Sequence, residues 1–209
     1  MNTEQGYLLV VEDIPDILRL LDATLKFKGY RVVTATNGQE ALEAIQRERP
    51  ALIITDILMP KMDGFSLVHR LRINPETRDI PVVFLTATYV APEDKAFALT
   101  IGVNRFIEKP VDFERFLPAI EEILSKGPSV PLEPLNEADF YEGYRKRLEK
   151  KLNQKTTQII RAEHLLKTVS EDEQSTIKAS LQQAKTERQE IQHLLDEIHE
   201  YLGKLTKRE

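Results

Sequence analysis

The stretch Ala51-Leu52-Ile53-Ile54-Thr55-Asp56-Ile57-Leu58-Met59-Pro60-Lys61-Met62-Asp63-Gly64 decides how the first part of the chain is read. It is a short run apolar on both faces that stops at a carboxylate, followed by a turn and a helix start. A strand buried on both faces belongs to a parallel sheet covered by helices. The same texture recurs on either side. Candidate strands are Tyr7–Val11, Arg31–Ala35, Ala51–Thr55, Pro81–Thr86 and Asn104–Glu108, and helix-period segments fall near 15–28, 38–48, 64–74, 92–101 and 112–125. Pro15 suits a first helical turn, and Gly29 after Lys26 and Lys28 suits a helix end. Asn37 with Glu40 is close to a capping box, and Asp112 can cap the fifth helix. Five β-α units in a row predict an α/β domain, a doubly wound five-stranded parallel sheet with right-handed crossovers.

The texture changes after residue 126. Gly127-Pro-Ser-Val-Pro-Leu-Glu-Pro134 carries three prolines and reads as a stiff linker over 127–135. From Asn136, itself a cap with Asp139, there is no further proline. Ile177, Leu181, Ala184, Arg188, Ile191, Leu195, Ile198, Leu202 and Leu205 are spaced alternately four and three apart, a heptad seam broken only at Arg188. A looser stripe precedes it: Tyr141, Tyr144, Leu148, Leu152, Ile159 and Leu166, with polar Lys155 inside. Ser170-Glu-Asp-Glu173 forms a capping box between the two. The expected organisation is 1–126 as the α/β domain, 127–135 as linker and 136–209 as an all-α coiled-coil segment. That segment is read as an antiparallel helical hairpin, one unbroken helix being the alternative. Two amphipathic helices alone bury little, so a homodimer through 136–209 is expected.

Bulk properties narrow the function. The net charge of −5 is confined to residues 1–135, and the rest is neutral, so nothing global points to nucleic acid. The chain has no cysteine, which excludes disulfides and thiolate metal sites. The apolar run Tyr7–Val11 is far too short for a signal peptide or a membrane span, so the protein is expected to be cytoplasmic. The first strand lacks a glycine-rich turn after it, and no GxxxxGK[ST] run exists, which disfavours dinucleotide and P-loop sites. Asp56 is followed by Ile57 and Leu58, not the Asp-x-Asp of haloacid dehalogenase-type phosphatases. His69, His164, His193 and His199 show no metal spacing. The acidic residue that usually follows a phosphotransfer histidine is missing after His164.

Ligands in open α/β sheets bind beyond the carboxyl ends of the strands. Those ends carry Glu12-Asp13, Asp56, Thr86 and Lys109-Pro110. If the first and third strands are neighbours, three carboxylates crowd one edge, and one lysine plus a divalent cation would balance them. Such a site suits phosphoryl chemistry, in which charge spreads over equatorial oxygens. Taken singly, each group has a plainer reading: Glu12 or Asp13 as a helix cap, Asp63-Gly64 as a turn, Phe106 as core, Lys109 as solvated.

Four fragments in order, Val10-Val-Glu-Asp13, Ile53–Gly64, Phe84-Leu-Thr-Ala-Thr88 and Phe106-Ile-Glu-Lys-Pro110, resemble the receiver domains of bacterial two-component response regulators. The resemblance covers 7–125 and implies a flavodoxin-like fold. It implies that Asp56 accepts a phosphoryl group from a sensor histidine kinase or phosphotransfer protein, catalysing only its own phosphorylation and dephosphorylation. It implies Mg²⁺ as cofactor, held by Asp13, Asp56 and the Leu58 backbone carbonyl, with Glu12 acting through water. Thr86 and Lys109 would contact phosphoryl oxygens, and Thr86 with Phe106 would form the switch. Ala87 would leave access to the phosphate, and Leu58 and Thr88 would tune its lifetime. The output is expected to be protein interaction through the helical segment. The alternative is a DNA-binding regulator using the basic run Arg145, Lys146, Arg147, Lys150, Lys151, Lys155 and Arg161, which Glu142, Glu149 and Glu163 dilute; nucleic acid is not the expected partner.

Overall fold

A computed structural model describes residues 6–86, 92–126, 133–169 and 171–205. The chain divides into two compact units, Met1–Leu135 and Asn136–Glu209. In the first unit strands and helices alternate strictly: β1 Leu8–Val11, α1 Pro15–Phe27, β2 Val32–Ala35, α2 Gly38–Arg47, β3 Leu52–Asp56, α3 Gly64–Ile73, β4 Val82–Thr86, α4 Pro92–Thr100, β5 Arg105–Glu108 and α5 Phe113–Lys126. The sheet order is β2-β1-β3-β4-β5, and every pairing is parallel. Ala87 and Thr88, Gly127–Leu132 of the expected linker, and Ser170 of the expected capping box lie outside the described residues.

The central strands are buried on both faces, as a covered parallel sheet requires. Leu8 and Val10, Leu52 and Ile54, and Val83 and Leu85 point to one side. There they pack with Leu21 and Leu25 of α1 and Phe116, Ile120 and Ile123 of α5. Full burial of each such aliphatic side chain contributes roughly 1.5–3 kcal/mol. The alternate residues Leu9, Ile53, Val82 and Phe84 are equally buried, and Phe84 meets Phe65 of α3 edge-on with ring centroids 5.0 Å apart.

Local signals set the helix starts. Asn37 Oδ1 accepts from the amides of Gln39 and Glu40. The reciprocal carboxylate bond goes from the Thr36 amide to Glu40, one residue before the cap. Asp63 Oδ1 accepts from Phe65 and Ser66 N–H, and Asp112 Oδ1 from Glu114 N–H.

Buried Arg72 was not singled out in the sequence. Its Nη1 donates to the Ile80 carbonyl at 2.9 Å and its Nη2 to the Gly102 carbonyl at 2.7 Å. Desolvation pulls its pKa down to about 10, which leaves it charged at neutral pH. It ties the end of α3 to two loops at the amino edge of the sheet. Arg72→Met keeps an unbranched apolar stem but orphans both carbonyls. We expect a loss of about 2–4 kcal/mol, read from the urea midpoint.

The second unit is a pair of helices, α6 Glu137–Leu165 and α7 Glu171–Leu205. Successive cross-helix contacts run Glu137 with Tyr201, Glu149 with His199, Lys155 with Glu187, and Glu163 with Lys185. Advancing along one helix means retreating along the other, so the pair is antiparallel. This is the hairpin, not the single unbroken helix. The middle of the heptad seam is covered: Ala184, Ile191, Leu195 and Ile198 are buried on α7, as are Tyr144, Leu148 and Ile159 on α6. Arg188 is exposed, as a break in the seam should be. At the base Tyr141 meets Tyr201 at 4.4 Å and Phe140 at 5.0 Å between ring centroids.

Candidate functional site

Strand order builds the site. β1 and β3 are neighbours in register, with Val11 beside Thr55. The residues that follow these two positions, Glu12 and Asp56, therefore emerge side by side at the carboxyl edge. The sheet reverses direction here, because β2 lies on one side of β1 and β3 on the other; such a reversal opens a crevice above the strand ends. One carboxylate oxygen from each of Glu12, Asp13 and Asp56 lies within 4.8 Å of the others. Glu12 is fully buried, Asp56 is 8% exposed and Asp13 is half-buried.

Lys109 closes the group. Its amide donates to the Thr86 carbonyl at 2.7 Å, which fixes the first residue after β5 against the end of β4. Its Nζ lies 2.5 Å from Glu12 Oε2 and 3.1 Å from Asp56 Oδ1. Glu12 Oε1 also accepts from Ile14 N–H at 3.2 Å, so both its oxygens are held.

Burial pushes all three carboxyls above the ordinary carboxylate range, and only Lys109 pulls them back appreciably by charge. For Glu12 and Asp56 the lost hydration outweighs the lysine. With all three ionised, one ammonium leaves a deficit of two positive charges. The donors are oxygens only, as hard divalent cations prefer. This acidic set fits such an ion.

The remaining expected residues fall around this centre. Thr86 ends β4 almost buried, beside Lys109. Leu58 sits two residues beyond Asp56, half-buried in the β3–α3 loop. Phe106 is half-buried and packs edge-on against Phe84 at 5.7 Å. Phe84 and Phe97 in turn flank Phe65, the second residue of α3.

Asp63-Gly64, read from sequence as a turn, does more than reverse the chain. A Cβ on Gly64 would lie 2.4 Å from the Asp56 carbonyl oxygen. Only glycine lets the start of α3 press against the residue at the centre of the cluster. The Gly64 amide also donates to the Ile57 carbonyl at 2.8 Å. The visible signal was Asp-Gly directly ahead of a helical pattern; the close approach depends on three-dimensional packing.

Known proteins share this fold. Residues 8–121 match the family model described as response regulator receiver domain. Over 105 residues, half of this chain and 79% of the relative, it is 44% identical to an uncharacterized 14.6 kDa protein in the sodA1 3′ region of Leptolyngbya boryana. It is 42% identical over 105 residues to the response regulator PleD of Caulobacter vibrioides, of which it spans 23%. A solved signal receiver domain of a signal transduction histidine kinase from Syntrophus aciditrophicus is 36% identical. That likeness has a TM-score of 0.54 and covers 61% of this chain and 98% of the other.

The matched segment ends before α6, and a DNA-reading role for the basic run gains no support. Arg145 and Lys146 pair with Glu142, and Lys155 with Glu187, all within the hairpin. No helix among the described residues is long and apolar enough to cross a membrane. With more than half of its length matched in the right order, and the strand-end carboxylates and lysine gathered at one edge, the chain belongs to the response regulator receiver family.

Proposed function

We propose that Asp56 is the phosphoacceptor of this receiver and that the hairpin carries its output. The observation that supports this most directly is Lys109 Nζ bridging Glu12 and Asp56 beside a third carboxylate. A carboxylate oxygen of Asp56 attacks the phosphorus of a phosphohistidine on a sensor histidine kinase or phosphotransfer protein. The new O–P bond forms as the P–N bond breaks, and the imidazole leaves with the electron pair. Asp13, Asp56 and the Leu58 carbonyl would hold Mg²⁺, with Glu12 acting through water. Bound there, the ion supplies charge neutralisation to the phosphoryl oxygens.

The chain's own groups do the rest. Lys109 exchanges its bond to Asp56 for one to a phosphoryl oxygen, and the Thr86 hydroxyl donates to another. Thr86 and Lys109 share a backbone bond, so both report the same event. Phe106 has no phenol hydroxyl and transmits by packing against Phe84. The Leu58 side chain cannot orient a hydrolytic water, which favours a long-lived acyl phosphate. Such a protein works in the cytoplasm beside its kinase.

Incubation with acetyl phosphate and Mg²⁺ should place one acid-stable, hydroxylamine-labile label on the chain, mapped to Asp56. The label should fail to form in excess EDTA. Labelling elsewhere, or none, would overturn the assignment.

A homodimer through 136–209 is the form of output proposed. Its support is the seam's outer residues, Ile177, Leu181, Leu202 and Leu205, which the hairpin leaves only half-buried. Light scattering should give the full chain twice its own mass, and a chain ending at residue 127 the mass of a monomer. Equal monomeric behaviour of both would remove the dimer.

A further inference from the structure

We infer that Gly38, at the start of α2, is a positioning residue for the cation site, because it clamps the loop that carries Leu58. The inference rests on the reading of Leu58 as a carbonyl ligand. It concerns a residue far from the cluster in sequence, on a helix that contributes no ligand.

The loop between β3 and α3 is held at three points. At its ends the Gly64 amide donates to the Ile57 carbonyl at 2.8 Å. In its second half the Met62 amide donates to the Pro60 carbonyl at 2.7 Å, which makes a tight turn around Lys61. Lys61 accordingly has φ 65°, left-handed backbone that costs a non-glycine residue about 1 kcal/mol or more. The third point is external: the Gly38 amide donates to the Met62 carbonyl at 2.9 Å. Leu58 lies between the first and second of these anchors.

The fit at Gly38 leaves no room for a side chain. A Cβ there would stand 2.7 Å from Met62 Cγ and 2.9 Å from the Met62 carbonyl oxygen. The methionine side chain could move aside, but the carbonyl could not without breaking the bond to the Gly38 amide. The helix start is itself rigidly held. Buried Asn37 caps it, and Glu40 accepts from the Thr36 amide and hydroxyl and from Asn37 Nδ2. Glu40 also lies 3.8 Å from Lys61 Nζ, an exposed and therefore weak second tie to the loop.

The start of α2 is thus a fixed post, and the strained turn leans on it through one hydrogen bond. Held there, the strained backbone keeps the Leu58 segment at one distance from Asp56. Partners that orient metal ligands without touching the metal typically contribute 10–100-fold to affinity.

The test uses the full-length chain and Mg²⁺ alone. Isothermal titration calorimetry on Gly38→Ala should show Mg²⁺ affinity lower by about tenfold or more, with a cooperative thermal unfolding transition retained. Met62→Ala, which keeps the backbone bond, should bind Mg²⁺ within about threefold of the natural chain; the larger loss is reserved for a broken oriented contact. The natural chain supplies an independent measurement should Gly38→Ala not fold. Amide hydrogen exchange at Gly38 should slow on saturation with Mg²⁺, because by linkage the ion and the clamp stabilise one another. Unchanged affinity in a folded Gly38→Ala, or unchanged Gly38 exchange on adding Mg²⁺, overturns the proposal. If the natural chain binds no Mg²⁺, it is the underlying reading of the site that falls.

Discussion

Asp56→Asn is expected to reduce phosphoryl labelling to background while leaving the protein folded. The substitution is nearly isosteric but removes the nucleophile, since a neutral amide oxygen cannot form and hold the acyl phosphate. The fold should tolerate it for an electrostatic reason. Burial holds the Asp56 carboxyl above its ordinary range, so its ionised form is costly where it sits. A neutral group in its place relieves the repulsion with Asp13 and Glu12 while Lys109 keeps its bond to Glu12. Without Mg²⁺ at neutral pH the urea midpoint should therefore stay equal or rise. Labelling and unfolding measured on one preparation separate lost chemistry from lost structure. Loss of both together would mean that Asp56 serves the fold.

Lys109→Ala should destabilise the chain at neutral pH by about 3–5 kcal/mol, the usual cost of removing one partner from a buried ion pair. Glu12 is fully buried, and the Lys109 side chain is 8% exposed, so little water is available to replace the ammonium. The sign of the pH dependence follows. Glu12, Asp13 and Asp56 have folded pKa values raised above their unfolded ones. Between those values the folded state binds more protons, so stability falls as pH rises through that window and recovers as pH drops. Removing the lysine raises the folded values further and widens the window. The deficit of Lys109→Ala against the natural chain should accordingly shrink between pH 7.5 and pH 5, and added Mg²⁺ should shrink it at pH 7.5. A deficit equal under all three conditions would assign the loss to packing. The variant should still be labelled by acetyl phosphate, because its nucleophile is intact.

The sheet was legible because its central strands had to be covered on both faces. Runs such as Leu52-Ile53-Ile54, flanked by helix-period segments, suit a parallel sheet covered on both faces, and the helix boundaries follow from side chains that satisfy local donors, as Asn37 and Asp63 do. The site was legible because its acids and its lysine each sit at the end of a strand, so the topology alone gathers them. What sequence did not reveal depends on contact at a distance. That Gly64 abuts the Asp56 carbonyl, that Gly38 abuts Met62, and that Arg72 reaches carbonyls 8 and 30 residues away are consequences of packing between elements. The hairpin was legible from the seam's period and from the Ser170-Glu-Asp-Glu173 capping box ahead of it. On α6 the stripe marked most of the buried face, Tyr141, Tyr144, Leu148 and Ile159, but missed Phe140 and Arg147, because its spacing is irregular and it contains a lysine.

That lysine limits how the hairpin can move. Lys155 is 13% exposed and meets Glu187 at 2.5 Å, with apolar layers on either side. Were α7 to ratchet along α6 by one heptad, Lys155 would face Ser180 or Leu194, and an ammonium would be stranded without a counter-charge. A polar residue in a helical seam selects one alignment by penalising the others. A slide of one heptad is therefore penalised, whereas tilting as a rod or parting from the ends leaves the Lys155–Glu187 pair intact.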